Sequence, residues 1–401
     1  MENLLISTSP LIGILSESDS IVTVHNISGK KHAITTDVRD MLIHLMKPQL
    51  INWLIDSYRE KYSENQILKL IVELMNKEIL VSENDLGFYV IKPYQFLFGL
   101  PEFSVTRSLE KSAVFLGVPS GAGNEIDNRC KDFPSAIRQY TKVTNVQLIK
   151  GRKEIEFKAI DANTDFSTLV SRIEKVTLFD WGDLHISRGE TPRSVHSKIY
   201  RAHTRLLNAG CVPFLLGGDH SISLPAIRST GNKFKKIRIL HFDAHHDMYT
   251  VGSDLINEDV SPHHGNFMLQ CAEDENVYEI IQIGIRGIVN LRKPRNKKQR
   301  IIYASEIQSS FEMIKNYLSD NLPIYVTFDI DFFDSSIAPA TATPVPGGLN
   351  FADTCQLLKA ILSDRNIISI DLVELNPHKD PDRITAQLAL QLMLILINYI
   401  R

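Results

Sequence analysis

From about residue 113 to the C-terminus, short β-branched runs alternate with segments of helical pattern, and this alternation limits the possible folds more than any other feature. The runs cover residues 113–116, 175–179, 212–216, 237–242, 280–283, 324–328 and 367–370. Such runs, separated by helix-length segments, are typical of a parallel sheet covered by helices on both faces. We therefore predict a three-layer α/β fold for residues 111–401. Ligands should gather beyond the carboxyl ends of its strands.

The first hundred residues predict a small α+β domain instead. Strand-like stretches at residues 11–15, 21–25 and 32–35 precede three helical patterns. Thr36 is a candidate cap for the first helix, and Ser63 with Gln66 forms a capping box before the third. A turn at residues 84–87 between two β-rich pieces suggests a wing, so the order describes a winged-helix module. We place this domain at residues 1–95, a linker at 96–110 and the larger domain at 111–401.

Composition excludes several classes of protein. The chain is 43% hydrophobic and 23% charged, which is typical of a soluble globular protein. It starts without a signal-peptide pattern, its longest apolar stretch is too short for a bilayer, and its four cysteines contain no CxxC pair. The net charge is −3 and no helix carries a basic stripe. We expect a cytoplasmic protein that binds neither membrane nor nucleic acid.

Polar clusters directly follow three of the predicted strands. Their candidate metal ligands are His220, then Asp243, His245 and Asp247, then Asp329 and Asp331. Side chains two residues apart share one face of an extended segment, so each cluster can converge on one point. Four carboxylates and two imidazoles would need cations, and six ligands leave two octahedral ions room for water. The oxygen-rich set favours two Mn²⁺. A lone DxD usually caps a loop, but burying several such clusters unpaired would be costly.

These clusters read GGDHS at 217–221, DAHHD at 243–247 and TFDID at 327–331, and they resemble the three signatures of the ureohydrolases, the arginase and agmatinase family. The resemblance continues, in the family's order, through GVP at 117–119, DWGD at 180–183, IGIR at 283–286, PATATPVPGGL at 339–349 and DLVELNP at 371–377. It implies an arginase-like fold and the hydrolysis of a guanidinium group to urea and an amine.

The resemblance also implies a role for each site residue. One Mn²⁺ would be held by His220, Asp243, Asp247 and Asp329, and the other by His245, Asp243, Asp329 and Asp331. Glu374 matches the carboxylate that pairs with the guanidinium, and His264 matches the proton-shuttling histidine, although its neighbour His263 leaves that assignment open. The implied catalytic residues are His264, Asp247 and Glu374, and the implied substrate-binding residues are Glu374, His264, Tyr249 and Thr343.

Two features point to an unusual substrate. Tyr249 stands where arginases acting on free arginine have an asparagine that binds the substrate's α-carboxylate, so the amino-acid headgroup would not be recognised. Neutral drift is the alternative. The N-terminal order of strands and three helices resembles the precursor-peptide recognition element, which pairs a leader peptide with a strand edge. A structural or oligomerising extension is the alternative there.

Together these features predict a peptide arginase that converts arginine residues of a ribosomal precursor peptide to ornithine in natural-product biosynthesis. The basic run at residues 292–300 could attract an acidic leader, although such runs are usually solvated. One alternative is a small-guanidine ureohydrolase acting on agmatine, guanidinobutyrate, guanidine or free arginine. Another is a silent binding protein on the same fold, which the intact ligand set disfavours. The family's habit of forming homo-oligomers leads us to expect one here.

Overall fold

The structure is a computed structural model of the 401-residue chain. It describes residues 5–8, 13–17, 21–25, 31–45, 49–77, 79–82, 90–103, 111–124, 127–148, 155–186, 190–249, 262–288 and 296–400. The chain divides into two compact units, residues 1–89 and residues 90–401.

The described residues of the first unit form two small antiparallel sheets and three helices. Its strands are β1 (Leu5–Thr8), β2 (Gly13–Glu17), β3 (Ile21–His25), β4 (Lys31–Thr35), β5 (Gln49–Leu50) and β6 (Leu80–Ser82). Their orders are β5-β1-β6 in one sheet and β2-β3-β4 in the other. The helices are α1 (Thr36–His44), α2 (Ile51–Tyr58) and α3 (Glu64–Asn76).

The helices of the first unit pack their apolar faces on the strands. One cluster of buried side chains joins all three helices to β3 and β4, including Val22, Ile34, Met41, Leu54 and Ile71. This burial stabilises helices that would be marginal in isolation at these lengths.

The N-terminal caps of two of these helices were predicted from the sequence. One cap is confirmed, and the other lies one residue before the predicted position. The predicted capping box is present at α3, where the backbone N–H of Ser63 donates to Oε1 of Gln66 at 2.9 Å. Helix α1 is capped by Thr35 instead of the predicted Thr36. Thr35 has the extended backbone of an N-cap residue, and its Oγ1 accepts the N–H of Val38 at 3.3 Å.

In the described residues, the second unit is built on a nine-stranded sheet. Its strands are β7 (Val90–Ile91), β8 (Ala113–Gly117), β9 (Leu178–Leu184), β10 (Val212–Leu216), β11 (Ile237–Phe242), β12 (Val277–Ile285), β13 (Gln299–Tyr303), β14 (Ile324–Asp329) and β15 (Ile367–Val373). The order is β13-β12-β11-β14-β15-β10-β8-β9-β7. All neighbours are parallel except β7, which runs antiparallel to β9. The predicted parallel sheet is confirmed, with one antiparallel edge strand added.

Two strands differ from the sequence prediction. Strand β9 begins at Leu178 and not at residue 175, because helix α5 (Ser167–Lys175) continues to that point and ends in the left-handed conformation of Val176, at φ 55°. Strand β13 was not predicted, because it begins with two polar residues, Gln299 and Arg300, and lies at the edge of the sheet.

Helices flank this sheet. Besides α5 they are α4 (Phe133–Val143), α6 (Pro192–Asn208), α7 (Ser223–Phe234), α8 (Phe267–Glu273), α9 (Ile307–Tyr317), α10 (Phe351–Leu362) and α11 (Ile384–Asn398). Helix α11 is apolar on nearly every side and is almost wholly buried in the core, so its composition reflects packing. None of the helices within the described ranges combines the length and apolar content that a bilayer span needs. The four cysteines are free and buried.

The predicted wing and the predicted linker each lie partly outside the described residues. The turn at residues 84–87 lies outside the described residues, and the β-rich pieces beside it join different sheets, because β6 pairs with β1 and β7 with β9. Residues 97–103 also pack with the second unit. The N–H of Leu97 donates to the carboxylate of Asp180 at 2.7 Å, and the N–H of Phe103 donates to the Asp180 carbonyl at 3.0 Å. The second unit thus begins inside the predicted domain of residues 1–95.

Candidate metal centre and active site

Four adjacent strands, β11, β14, β15 and β10, end at one edge of the sheet, and the candidate site lies just beyond their carboxyl ends. Asp243 follows β11 directly, Asp329 is the last residue of β14, Glu374 follows β15, and His220 lies four residues beyond the end of β10. Parallel neighbours carry their carboxyl ends to the same rim, so His220 and Glu374, which are 154 positions apart in sequence, become neighbours in space.

The structure brings all six predicted metal ligands together. Nδ1 of His220 lies 3.0 Å from Asp243, 3.1 Å from Asp247 and 3.3 Å from Asp329, measured to Oδ2 in each case. Nδ1 of His245 lies 2.9 Å from Oδ2 of Asp331 and 3.5 Å from Oδ1 of Asp243. Asp243 therefore contacts both halves of the cluster, as expected of a bridging carboxylate.

The convergence has a different local cause from the one predicted. Asp243, His245 and Asp247 do not alternate along a strand, because β11 ends at Phe242 and Asp247 has a left-handed backbone with φ 50°. Asp331 likewise lies in a short 3-10 turn, where its own N–H donates to Oδ1 of Asp329 at 2.8 Å. Turns at the strand ends direct these side chains toward one point.

The donor set fits divalent cations. Asp243, Asp247, Asp329 and Asp331 are all at most 5% exposed. Burial, together with the neighbouring Asp331 and Asp243, raises the pKa of Asp329 well above its usual range. Nδ1 of His220 and Oδ2 of Asp331 are buried without a well-directed hydrogen bond to any described residue. Buried carboxylates whose lone pairs face a common point are stabilised by cations. A set of carboxylate oxygens and imidazole nitrogens suits Mn²⁺.

A relay below the cluster orients His220. Its Nε2 lies 2.8 Å from Oγ1 of Thr327, and that hydroxyl donates to Oδ1 of Asp371 at 2.6 Å. Tyr325 donates to the other oxygen of Asp371 at 2.6 Å. Because the Thr327 hydroxyl gives its proton to Asp371, it accepts from Nε2–H of His220. Nδ1 of His220 then carries the lone pair that faces the carboxylates.

His241 also belongs to the site, although the sequence prediction omitted it. It is fully buried, and its Nε2 lies 2.8 Å from Oδ2 of Asp243. Among the described residues His220, His241, Asp243 and Asp247 form one group with metal-ligand spacing, and Asp243, His245 and Asp331 form another. The one feature of the sequence that could have indicated His241 is its position two residues before Asp243. It lies inside an apolar strand, however, where the pattern predicts a core residue.

Glu374 and His264 form the other wall of the site. Oε1 of Glu374 accepts the backbone N–H of His220 at 2.9 Å and lies 3.5 Å from Nδ1 of His264. Oε2 of Glu374 is buried and has no hydrogen-bond partner in the described part of the chain. Burial lowers the pKa of His264, but the contact with Glu374 and the negative charges of Asp247 and Asp219 together outweigh burial, so the net direction is upward. His263 differs, because its Nδ1 accepts the N–H of Gly265 at 3.2 Å.

A second group missed by the sequence prediction supports His264. Nδ2 of Asn124 lies 3.3 Å from Nδ1 of His264, and Oδ1 of Asn124 accepts the N–H of Asp127 at 3.0 Å. Asp127 in turn accepts from Nδ2 of Asn376 at 2.8 Å. These residues lie in segments far apart in sequence, so no local spacing could have indicated them.

The two remaining predicted substrate contacts lie in different surroundings. Tyr249 is half-buried, its ring centroid lies 4.2 Å from that of His246, and burial raises its pKa to about 12. Its N–H donates to Gly265 at 2.8 Å, which holds it beside the segment of His264. Thr343 is exposed, whereas Thr341 in the same loop is buried. The loop from 250 to 261 lies outside the described residues.

A parallel sheet with a cluster of carboxylates and imidazoles at its carboxyl rim is typical of α/β enzymes that bind divalent cations. The family model for the arginase family matches residues 111–398, and the chain belongs to this family. The agmatinase of Neisseria meningitidis serogroup A is 35% identical over 217 residues, which are 53% of this chain and 67% of that protein.

Solved structures show the same fold. Proclavaminate amidino hydrolase from Streptomyces clavuligerus aligns with a TM-score of 0.62 at 24% identity, over 77% of this chain and 97% of that one. Arginase from Medicago truncatula aligns with a TM-score of 0.57 at 25% identity, over 74% of this chain and 89% of that one. The arginase-like fold predicted from the signatures is confirmed.

Proposed function

We propose that the protein hydrolyses the guanidinium group of arginine residues in a ribosomal precursor peptide, releasing urea and leaving ornithine. The observation that carries the guanidinium chemistry is the buried Oε2 of Glu374, which has no hydrogen-bond partner among the described residues and lies beside a cluster of six candidate metal ligands. A planar cation with several N–H donors is the natural partner of such a carboxylate.

The ligands divide into two sets. His220, Asp243, Asp247 and Asp329 would hold one Mn²⁺, and His245, Asp243, Asp329 and Asp331 would hold the other. The pair of cations would supply activation of a water nucleophile and polarisation of the reacting carbon.

The surrounding side chains would bind the substrate and move protons. Oε2 of Glu374 would accept from the guanidinium, while Oε1 stays engaged with the N–H of His220. Nδ1 of His264 lies 3.5 Å from Glu374, which puts an imidazole beside the bound guanidinium, where it can pass a proton to the departing amine. Asn124 holds that ring in place.

The first unit supports a peptide as the substrate. Residues 1–110 lie outside the family match, and in the described part of the first unit the antiparallel pair β3 and β4 precedes the helices α1, α2 and α3. Within the described pairing, β4 lies at the edge of the β2-β3-β4 sheet. An extended leader could add a strand there. We infer that the first unit is a leader-binding module, and we propose that it is related to winged-helix domains.

The basic run adds little support. Residues 292–295 lie outside the described ranges, and its last residues are engaged within the protein. Nζ of Lys298 donates to the carbonyl of Asp274 at 2.6 Å, and Arg300 pairs with Glu279.

A second candidate is a small-guanidine ureohydrolase, favoured by the 35% identity to agmatinases. Urea release from the Mn²⁺-loaded full-length enzyme should be compared for agmatine, guanidinobutyrate, guanidine, free arginine and an arginine-containing precursor. A turnover of agmatine that exceeds peptide turnover would select this candidate.

The peptide proposal is tested by mass spectrometry of a co-expressed precursor with and without its leader. We expect a loss of about 42 Da per converted arginine, as the hydrolysis requires, and a large fall in conversion when the leader is deleted. Equal conversion of the leaderless peptide would reject the docking role of the first unit. Absence of urea with every substrate would reject the hydrolase itself.

A further inference from the structure

His241 sits in the middle of a buried chain of polar side chains that crosses three strands. It lies on β11, Gln282 lies opposite it on β12, and Gln299 lies on β13. All three are at most 7% exposed. Buried polar groups at such positions are retained only when their hydrogen bonds are made.

The contacts determine which ring nitrogen of His241 carries the proton. Nε2 of Gln282 lies 2.7 Å from the carbonyl oxygen of His246, and a carbonyl only accepts, so this atom is the amide nitrogen. The same nitrogen lies 2.7 Å from Nδ1 of His241, to which it donates. Oε1 of Gln282 accepts from Gln299, which fixes the amide from its other end. Nδ1 of His241 therefore accepts, and Nε2 carries the proton.

This tautomer makes His241 a donor to Asp243. Its Nε2–H lies 2.8 Å from Oδ2, and a nitrogen that bears a proton cannot ligate a metal. The other oxygen, Oδ1, accepts the backbone N–H of His245 at 2.5 Å. Oδ2 is the oxygen near His220, and Oδ1 is the one near His245. Each oxygen is thus held by its own donor, toward its own half of the cluster.

We propose that His241 is a positioning residue whose Nε2–H, set by Gln282, holds Asp243 in the orientation that spans the two metal positions. The inference rests on the proposed metal centre, and it assigns to Gln282 and Gln299 a role in metal affinity. A carboxylate free to rotate would present its two oxygens to the two positions only part of the time. Loss of an outer hydrogen bond of this kind typically weakens metal binding about 10- to 100-fold.

The test measures Mn²⁺ affinity and stoichiometry of the full-length protein by calorimetry. His241→Phe keeps a ring of similar size and removes the donor, and we expect it to weaken Mn²⁺ binding by about 10- to 100-fold. His241→Gln can place an N–H near the same oxygen and should recover most of the affinity. Gln282→Leu leaves the His241 ring in place but no longer determines which ring nitrogen carries the proton. This variant should therefore weaken Mn²⁺ binding by a smaller factor.

His203→Phe is the matched control. His203 is equally buried, with Ser229 and Ser369 as its hydrogen-bond partners at 3.1 and 2.8 Å. This variant should bind Mn²⁺ like the wild type. Thermal unfolding of the metal-free forms checks that each variant is folded, and Gln282→Leu replaces His241→Phe if the latter is not.

The outcomes separate the two proposals. If a folded His241→Phe variant binds Mn²⁺ with wild-type affinity, the positioning role is wrong but the proposed metal centre is unaffected. The same conclusion follows from Gln282→Leu where that variant replaces His241→Phe. An equal loss in His203→Phe overturns it too, because any buried histidine would then have the effect. A wild-type protein that binds no Mn²⁺ overturns the metal centre and this inference with it.

Discussion

Oε1 of Glu374 accepts the backbone N–H of His220 at 2.9 Å, so one contact joins the carboxylate proposed to bind the substrate to the segment that carries a candidate metal ligand. Glu374 has φ 65°, a left-handed conformation that turns the chain just after β15. The contact leaves Oε2 as the only oxygen of this carboxylate still open to a cation, and it makes the two functions of Glu374 separable by mutation.

Glu374→Gln should abolish most turnover without loss of metal. The amide oxygen can still accept from His220, but the charge that pairs with the guanidinium is gone. Hydrogen bonds to charged groups contribute roughly 1.5–3 kcal/mol, and each 1.36 kcal/mol is tenfold in rate. We expect kcat/KM for urea release to fall about 10- to 100-fold, with the Mn²⁺ content measured by mass spectrometry unchanged. Parallel loss of metal would show that Glu374 has a structural role only.

Asn124→Ala should lower kcat more than it raises KM. Asn124 contacts the ring of His264 and is itself fixed by the N–H of Asp127, so its loss frees the ring without touching Glu374. Mispositioned general acids and bases lose part of a contribution that is typically about 10²–10⁴-fold. Steady-state kinetics measures the split, and a change confined to KM would contradict this role.

Thr327→Val should weaken Mn²⁺ binding by about 10- to 100-fold, because it removes the acceptor for Nε2–H of His220. Nδ1 and Nε2 would then compete for the proton, and a protonated Nδ1 cannot ligate a metal. Thr327→Ser retains the hydroxyl and should bind Mn²⁺ like the wild type. Calorimetric titration measures the Mn²⁺ affinity of both variants. Equal affinities would contradict the role of Thr327 in orienting His220.

The stability of the metal-free protein should depend on His203 in acid. Burial lowers the pKa of His203 to about 3. The unfolded chain binds a proton at this residue below pH about 6.5, and the folded protein does not until pH about 3. The folded state thus loses about 1.4 kcal/mol per pH unit as pH falls through this window.

His203→Phe carries no such proton. The free energy of unfolding of the wild type, minus that of the variant, should therefore decrease from pH 6.5 toward pH 4. Urea unfolding at several pH values measures this difference, and a constant difference would contradict the assigned shift.

The grouping of the six candidate metal ligands could be predicted because each cluster is local in sequence. The strand before each cluster shows its β-branched pattern, and the parallel arrangement then brings the strand ends to one rim. The reason given for the convergence within DAHHD was wrong, since turn geometry at Asp247 replaces strand alternation. A single sequence does not show this, because positive φ at an aspartate depends on contacts formed by the rest of the fold.

The supporting residues could not be predicted. His241, Thr327 and Asp371 lie inside apolar strands, where each reads as an isolated polar core residue. Their partners come from other strands, so the pairing exists only in the register of the sheet. The same holds at the domain boundary, where β7 joins the large sheet through two residue pairs with β9.

Strand β15 carries Asp371 within it and Glu374 and Asn376 just beyond its end, and it is paired on one side with β14 and on the other with β10. A slip of one residue would turn the side chain of Asp371 to the opposite face of the sheet and would displace Glu374 and Asn376 from their positions at the rim. Insertions and deletions are therefore forbidden here in a way that they are not in the loops at the rim. Changes in the rim loops can alter the substrate, whereas the length and register of β15 must stay constant because they position the side chains of the site.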